Sequence, residues 1–150
     1  MSLNEEVELL RNIPMFANIE PSKLKLLAFT SERLTFSEGD YLFSQGDSGD
    51  AAFIIVDGEA DVMIDTPDGP LTVAHFRKND IVGEIAILTD VPRTATVRAS
   101  TRLETMVISK ELFFRLVMEF PQIAVEIMRE LAKRLEATNA RLRTLSSHAA

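Results

Sequence analysis

Residues 38–62, EGDYLFSQGDSGDAAFIIVDGEADV, consist of short apolar runs that are separated by Gly-Asp or Asp-Gly pairs. Turn residues at such regular intervals between β-rich runs are typical of an all-β sandwich or barrel. The run FIIV at 53–56 contains no polar residue, which predicts a more fully buried strand. Similar runs and turns continue over residues 33–109, so we expect this whole zone to be β-structure.

Three later segments of this zone have clear patterns of their own. Residues 67–70, PDGP, predict a hairpin tip that is exposed to water. Residues 94–99 and 103–108 predict a final pair of strands. Residues 59–65 alternate and predict a half-buried antiparallel strand, with Ala60, Val62 and Ile64 on one face and Glu59, Asp61 and Asp65 on the other.

Helical patterns flank the β zone on both sides. Residues 3–30 form two short helical segments, which Pro14 separates, and Pro21 suits the first position of the second helix. Residues 110–119 predict a short helix that Ser109 caps. Pro121 begins the last helix, and because residues 122–145 contain no Gly or Pro, this helix is expected to be ~36 Å long.

The composition excludes several classes of site. The chain has no Cys, so disulfides, iron–sulfur clusters and thiolate-bound metals are excluded. Only His75 and His148 are present, so no metal-ligating or catalytic residue is expected. The polar, acidic N-terminus does not resemble a targeting sequence, and no apolar run approaches the ~20 residues that span a bilayer. We therefore expect a cytoplasmic protein without membrane contact.

The charge distribution is uneven. The net charge of −7 disfavours DNA binding by the bulk of the chain, because DNA affinity depends on cations that neutralise phosphates. Residues 129–145 are nevertheless basic. We interpret this run as a solvated helix face, with contact to nucleic acid as the alternative. Its basic residues are Arg129, Lys133, Arg134, Arg141 and Arg143.

Residues 83–99, GEIAILTDVPRTATVRA, carry an acid and a base within a segment that otherwise has the composition of a core. Free backbone N–H groups at a helix start after Gly83 would attract an anion, and Arg93 offers a planar set of donors for phosphate oxygens. Glu84 could accept hydrogen bonds from hydroxyl groups. Together these groups describe a sugar phosphate site. From spacing alone, an ion pair between Glu84 and Arg93 is an equally acceptable interpretation.

This stretch resembles the phosphate-binding cassette of the cyclic nucleotide-binding domain family. Residues 12–28 also resemble the helical entry of that family, and residues 38–62 resemble its glycine-marked early strands. The similarity covers roughly residues 10–145. The cassette residues that fit are Gly83, Glu84, Ala86, Leu88, Arg93, Thr94, Ala95 and Thr96.

The resemblance implies a fold: mainly β with flanking helices, in which an antiparallel β-roll or jelly-roll barrel carries N-terminal helices, a short cassette helix and a long C-terminal helix. Residues 1–120 would form the N-terminal helices and the β-roll. Residues 121–150 would form a lid or dimerisation helix of the same domain.

The resemblance also implies roles for individual residues. Glu84 would hold the ribose 2′-hydroxyl, and Arg93 would pair with the exocyclic oxygens of the cyclic phosphate. Backbone N–H groups of Ile85, Ala86 and Ala95, next to Gly83, would complete the anion cradle. Thr94 is compatible with either purine. The expected ligand is therefore cAMP or cGMP, bound as a regulatory ligand and not as a catalytic cofactor.

The last helix resembles the dimerisation helix of the catabolite activator branch of the family, which forms a parallel coiled coil. Thr138 and Asn139 fall where that branch contacts adenine from both subunits, and this position favours cAMP over cGMP. A parallel homodimer is therefore expected, with a lid over the chain's own barrel as the alternative. The residues that form the heptad pattern are Met128, Leu131, Leu135, Thr138, Leu142 and Leu145.

Together these patterns predict a regulatory sensor and not an enzyme, since no nucleophile–base pair is evident. A metal-dependent enzyme or haem sensor on a similar barrel, and a degenerate scaffold that binds no nucleotide, are the alternatives. The branch that reads DNA continues into a helix-turn-helix domain, whereas the printed chain stops at residue 150. We therefore expect no direct DNA binding by these residues. The downstream partner, and whether the chain is complete or a fragment, are left open.

Overall fold

The computed structural model describes residues 2–13 and 16–149, apart from the side chains of Glu84, Ile85, Glu130 and residues 145–149. Within these ranges the chain forms five helices and eight strands. In chain order they are α1 (Leu3–Arg11), α2 (Pro21–Thr30), β1 (Glu32–Phe36), β2 (Tyr41–Phe43), β3 (Ala51–Asp57), β4 (Ala60–Thr66), β5 (Gly69–Phe76), β6 (Ile81–Val82), α3 (Glu84–Thr89), β7 (Thr96–Ala99), β8 (Leu103–Ser109), α4 (Lys110–Glu119) and α5 (Pro121–Ala149).

The strands form two antiparallel four-stranded sheets, with the orders β1-β8-β3-β6 and β2-β7-β4-β5. The predicted β-roll with flanking helices is therefore confirmed. The expected pairing of residues 94–99 with 103–108 is wrong, because β7 and β8 lie in different sheets. The chain crosses between the sheets at residues 100–102, so that Val97, Ala99 and Leu103 all point into the interior of the roll.

Strand β3 explains why the run at 53–56 is apolar throughout. Ala52, Ile54 and Val56 pack in a core cluster shared with the helices. Phe53 and Ile55 point the other way, into a second cluster inside the roll. Because successive side chains of a strand face opposite sides, a strand buried on both faces has no position for a polar residue.

Strand β4 follows the predicted alternation only in part. Ala60 is fully buried and Asp65 is exposed, as expected. Met63, which lies on the face assigned to polar residues, is buried as well. The pairing with β5 shifts register between Val62 and Met63, which breaks the simple two-residue period. The predicted hairpin tip is confirmed: Pro67 and Asp68 connect β4 to β5 and are exposed.

The helix starts that were predicted from prolines and caps are confirmed. Pro21 opens α2, Pro121 opens α5, and the Ser109 hydroxyl accepts a hydrogen bond from the Leu112 N–H at 3.2 Å. Pro14 lies outside the described residues; α1 ends before it, at Arg11. Helix α5 has 29 residues and extends to Ala149, beyond the expected end at 145.

We expect Ser109→Ala to lower the free energy of unfolding by about 1 kcal/mol, because the first turn of α4 loses its side-chain cap. Chemical denaturation measures this change. Ser109→Asn is the matched control, since an Asn side chain accepts the same hydrogen bond and should preserve stability. Equal stability of the Ala variant and the unmodified chain would contradict the assigned cap.

Candidate functional site

The predicted cassette borders a cleft with a cavity volume of about 90 Å³ that opens inside the roll next to α3. Its lining is mainly apolar and includes two arginines. The residues that line it are Phe43, Val62, Phe76, Val82, Gly83, Ala86, Arg93, Thr94, Ala95, Val97 and Arg134. An apolar cleft with a few polar groups that converge on it has the character of a small-molecule site.

Arg93 is the buried charge of this cleft, with only 5% of the residue exposed. Its Nη1 donates to the Gly83 carbonyl at 2.8 Å, and its Nη2 donates to the Ala51 carbonyl at 2.6 Å. The guanidinium carbon lies 4.0 Å from the ring centroid of Phe43, which adds a cation–π contact. These acceptors offset the desolvation of the charge, so the guanidinium is held in a defined place before any ligand arrives.

Two glycines allow this close packing. Gly83 caps α3 in the left-handed conformation with φ of 91°, and a Cβ there would lie 2.5 Å from Arg93 Nη1. At Gly49 a Cβ would lie 2.2 Å from the Ala86 Cβ and 3.3 Å from Arg93 Nε. The backbone on either side of Arg93 therefore approaches closer than any larger residue would permit.

Helix α3 begins at Glu84, so Glu84, Ile85 and Ala86 occupy its first turn, where backbone N–H groups have no acceptor within the helix. Ala86 is buried and lines the cleft. The side chains of Glu84 and Ile85 lie outside the described part of the structure, so the expected ribose contact of Glu84 and its alternative ion pair with Arg93 stay predictions. Two hydrogen bonds of Arg93 go to backbone carbonyls.

The other predicted site residues fall into two groups. Thr94 and Ala95 line the cleft beside Arg93. Thr138 and Asn139 are exposed on α5 and are not among the described residues that line it. The Thr138 hydroxyl instead donates to the Arg134 carbonyl at 2.9 Å. One helical turn, about 5.4 Å, separates Thr138 from the part of α5 that reaches the cleft.

Arg134 is the residue of α5 that lines the cleft, and the sequence analysis did not find it. Its guanidinium carbon lies 6.0 Å from the ring centroid of Phe76, another lining residue. The interpretation of the whole basic run as a solvated face is therefore wrong at this position, since Arg134 is half-buried. Its place one turn before Thr138 was the available clue, because residues four apart share a helix face.

The described residues contain no group of three or more His, Cys, Asp or Glu side chains that could hold a metal ion. His75 is exposed, and its Nδ1 lies 2.6 Å from Asp61 Oδ1 on the neighbouring strand. No helix within the described ranges combines the length and the apolarity that crossing a bilayer requires.

Comparison with known proteins agrees with this fold. The profile of the cyclic nucleotide-binding domain matches residues 33–120, and the chain belongs to this family. The domain that defines this family is regulatory and not catalytic. The crystal structure of the catabolite activator protein of Thermus thermophilus has a TM-score of 0.80 and 25% sequence identity, over 89% of this chain and 63% of that one.

Two curated relatives show the range of proteins that contain such a domain. The cAMP-dependent protein kinase regulatory subunit of Emericella nidulans is 31% identical over 72% of this chain. The CRP-like cAMP-activated global transcriptional regulator of Mycobacterium tuberculosis is 28% identical over 92% of this chain. The chain spans 26% of the first relative and 62% of the second.

Asp90 ends α3, and its carboxylate lies 2.9 Å from the Lys110 ammonium at the start of α4. The hydrogen bond from Lys110 and the attraction of its charge hold the pKa of Asp90 below its ordinary value of 3.8. Because the folded pKa is the lower one, the pair stabilises the fold above pH 3.8. This contribution is lost as the pH falls through the folded pKa.

We expect Lys110→Gln to raise the pKa of Asp90 toward its ordinary value, as measured by an NMR titration of the Asp90 carboxyl carbon. Lys110→Arg keeps the positive charge and should keep the pKa low. An unchanged pKa in the Gln variant would show that Lys110 does not lower it.

Proposed function

We propose that this chain is a sensor domain that binds cAMP as a regulatory ligand, with the cyclic phosphate at Arg93. The observation that carries the proposal is the buried Arg93 guanidinium at the end of a mainly apolar cleft. A phosphate placed there would meet a positive charge in a region of low dielectric, where charge-assisted hydrogen bonds are strong. Relatives whose names specify cAMP support the choice of ligand.

The remaining cassette residues would complete the binding of the sugar phosphate. Backbone N–H groups of Ile85 and Ala86 in the first turn of α3, and of Ala95, would donate to phosphate oxygens next to Gly83. Glu84 would accept from the ribose 2′-hydroxyl. The apolar part of the cleft suits a flat base, with Phe76 and Arg134 at one side of the space that a purine would occupy.

The preference for cAMP over cGMP depends on the residues that would contact the base. Thr94 lines the cleft, and its hydroxyl is compatible with either base. Thr138 and Asn139 suit adenine if α5 of a second chain brings them to the site. A cGMP-selective sensor is therefore the alternative within the same class.

A scaffold that binds no nucleotide is a second candidate, which one specific observation favours. Arg93 already gives two of its five N–H donors to the carbonyls of Gly83 and Ala51. These two hydrogen bonds hold the guanidinium in place without a ligand. The mainly apolar cleft beside it favours the sensor over this scaffold.

The output of the sensor would be the position of residues 121–150, which we treat as a lid or dimerisation helix of the same domain. Ile123 and Ile127 at the start of α5 are buried in the helical core. Further along, Arg134 reaches the cleft. A ligand that contacts both the cassette and α5 binds one arrangement of this helix better than another, and this difference in affinity is what couples binding to a response.

We expect Arg93→Ala to weaken binding of cAMP by about 2–5 kcal/mol, because the phosphate loses its charge-assisted donors. Isothermal titration calorimetry of protein that has been unfolded, stripped of nucleotide and refolded measures this loss, with cAMP and cGMP titrated separately. Arg98→Ala is the matched control, since Arg98 lies five residues further on, in β7, and is not a described lining residue of the cleft.

Binding of cAMP at micromolar affinity or better by the unmodified chain, and its loss in the Arg93 variant only, would establish the sensor. Tighter binding of cGMP would replace the proposed ligand by the alternative. Absence of heat and of a thermal shift with both nucleotides would favour the scaffold.

The exposed apolar side chains of α5 suit a parallel homodimer. Met128, Leu135 and Leu142 belong to the predicted heptad pattern and are 60%, 62% and 58% exposed. Side chains of this size at heptad spacing gain stability when they pack against an identical helix. The side chain of Leu145 lies outside the described residues.

We expect the chain to sediment at twice its mass of 16.7 kDa, and a Leu135→Asp, Leu142→Asp variant to sediment as a monomer. Both side chains are exposed, so the substitutions should leave the fold of each chain intact. Leu26→Asp, at a 59% exposed site on α2, is the control and should remain dimeric. A monomeric unmodified chain at micromolar concentration would favour the lid.

A further inference from the structure

Arg93 belongs to the loop between α3 and β7 and not to a strand. Its position nevertheless has to be defined, because the proposed phosphate contact depends on where its guanidinium lies. The side-chain contacts with Gly83, Ala51 and Phe43 fix one end of the residue. The other end, its backbone, is held by a turn at one of the Gly-Asp pairs of the β zone, Gly46-Asp47.

Residues 44–47, which we name the Arg93 turn, hold the backbone of Arg93 by two hydrogen bonds. The Gly46 N–H donates to the Arg93 carbonyl at 2.9 Å, and the Arg93 N–H donates to the Asp47 carbonyl at 2.7 Å. The turn is closed by its own aspartate, since the Ser44 N–H donates to Asp47 Oδ2 at 2.9 Å.

The same turn also fixes the far end of the cassette. The Gln45 N–H donates to the Thr96 hydroxyl at 2.8 Å, and the Gln45 side chain accepts from the Asp65 N–H at 3.0 Å. Arg93 and Thr96 are therefore both held by residues 44–47. Thr94 and Ala95, which line the cleft, lie between these two fixed points.

Two further turns of the same construction occur among the described residues. Residues 37–40 form a turn that we name the Ala99 turn. In it the Ser37 N–H donates a hydrogen bond to Asp40 Oδ2 at 2.8 Å. Gly39 and Asp40 exchange two hydrogen bonds with Ala99, each of 2.8 Å. Residues 77–80 hold Ile55 in the same way, with an Asp80 carboxylate that closes the turn.

The three turns differ in what else holds the residue that they bind. Ala99 lies in β7 and pairs with Ala60 of β4. Ile55 lies in β3 and pairs with Thr105 of β8. For these residues the turn adds to a sheet ladder, whereas the backbone of Arg93 lies outside every described strand. Opening the Arg93 turn should therefore displace its residue more than opening either of the others.

We infer that Asp47 is a positioning residue of the proposed nucleotide site: by closing the Arg93 turn, its carboxylate fixes the backbone of Arg93 and thereby the direction of the guanidinium. Asp47 itself is exposed and is not a described lining residue of the cleft. The inference rests on the proposed function, because it assigns Asp47 a role in binding the same ligand.

The Ala99 turn supplies a matched control. Asp47 and Asp40 are both exposed. In each, Oδ2 closes the turn by accepting a hydrogen bond from the N–H of the first turn residue, and the two bonds are nearly equal in length. We expect Asp47→Ala to weaken cyclic nucleotide binding by about five- to tenfold, the factor that corresponds to roughly one hydrogen bond. Asp47→Ala and Asp40→Ala should lower the melting temperature by similar amounts. Asp40→Ala, however, should leave the affinity for the nucleotide unchanged.

Two further measurements separate positioning from a general loss of structure. Asp47→Asn retains a side-chain carbonyl that can accept from Ser44, so it should restore the affinity. In an Arg93→Ala background, Asp47→Ala should have no further effect on binding, since neighbours that act as one unit are not additive. Equal affinities of the Asp47→Ala and Asp40→Ala variants would overturn the inference.

Hydrogen exchange of single amides tests the inference without any nucleotide. Asp47→Ala should speed the exchange of the Arg93 amide by about tenfold or more, because its acceptor is the Asp47 carbonyl. Asp40→Ala should change the exchange rate of the Ala99 amide much less, since the ladder of β7 remains.

An unmodified chain that binds neither cAMP nor cGMP would defeat the proposed function alone. Unchanged exchange at Arg93 in the Asp47 variant would defeat the positioning role alone.

Discussion

The burial of β3 on both faces is the constraint from which the rest of the structure follows. One face packs against the helices through Ala52, Ile54 and Val56, and the other fills the roll through Phe53 and Ile55. A strand in this position needs neighbours on both edges, and it has β8 on one side and β6 on the other. Two separate cores therefore share a single strand, and the helices cannot pack independently of the roll.

The candidate site lies where this strand begins. The Ala51 carbonyl, at the first residue of β3, accepts from the Arg93 guanidinium, and the Lys110 N–H bonds to the neighbouring Asp50 carbonyl. The start of the central strand is thus in contact with both the cassette and the first residue of α4. Because α4 packs on α5, hydrogen bonds and helix packing connect Arg93 to the last helix.

A charge can be buried here because the protein prepares its surroundings with backbone groups. Carbonyls of Gly83 and Ala51 and the ring of Phe43 contact the guanidinium, and Gly49 and Gly83 leave the space for these contacts. Arranging the donors beforehand reduces the ordering that a ligand must cause on binding.

The sequence by itself determined the local elements and the residues that carry chemistry. Proline and serine positions predicted the starts of α2, α4 and α5, and glycine–aspartate pairs predicted the turns, because these residues act through their own backbone and nearest neighbours. The resemblance of residues 83–99 to a known cassette brought Gly83, Ala86, Arg93, Thr94 and Ala95 together as site residues, and the structure has all five around one cleft.

Only the tertiary structure decided which distant segments meet. It placed β7 and β8 in different sheets. It also brought Arg134 to Phe76 and residues 44–47 to Arg93, although these residues are far apart in the chain. Local patterns contain no information about such contacts, because they depend on how the two sheets close around shared apolar residues. Burial of Met63 was missed for the same reason, since a register shift with β5 changes what its face meets.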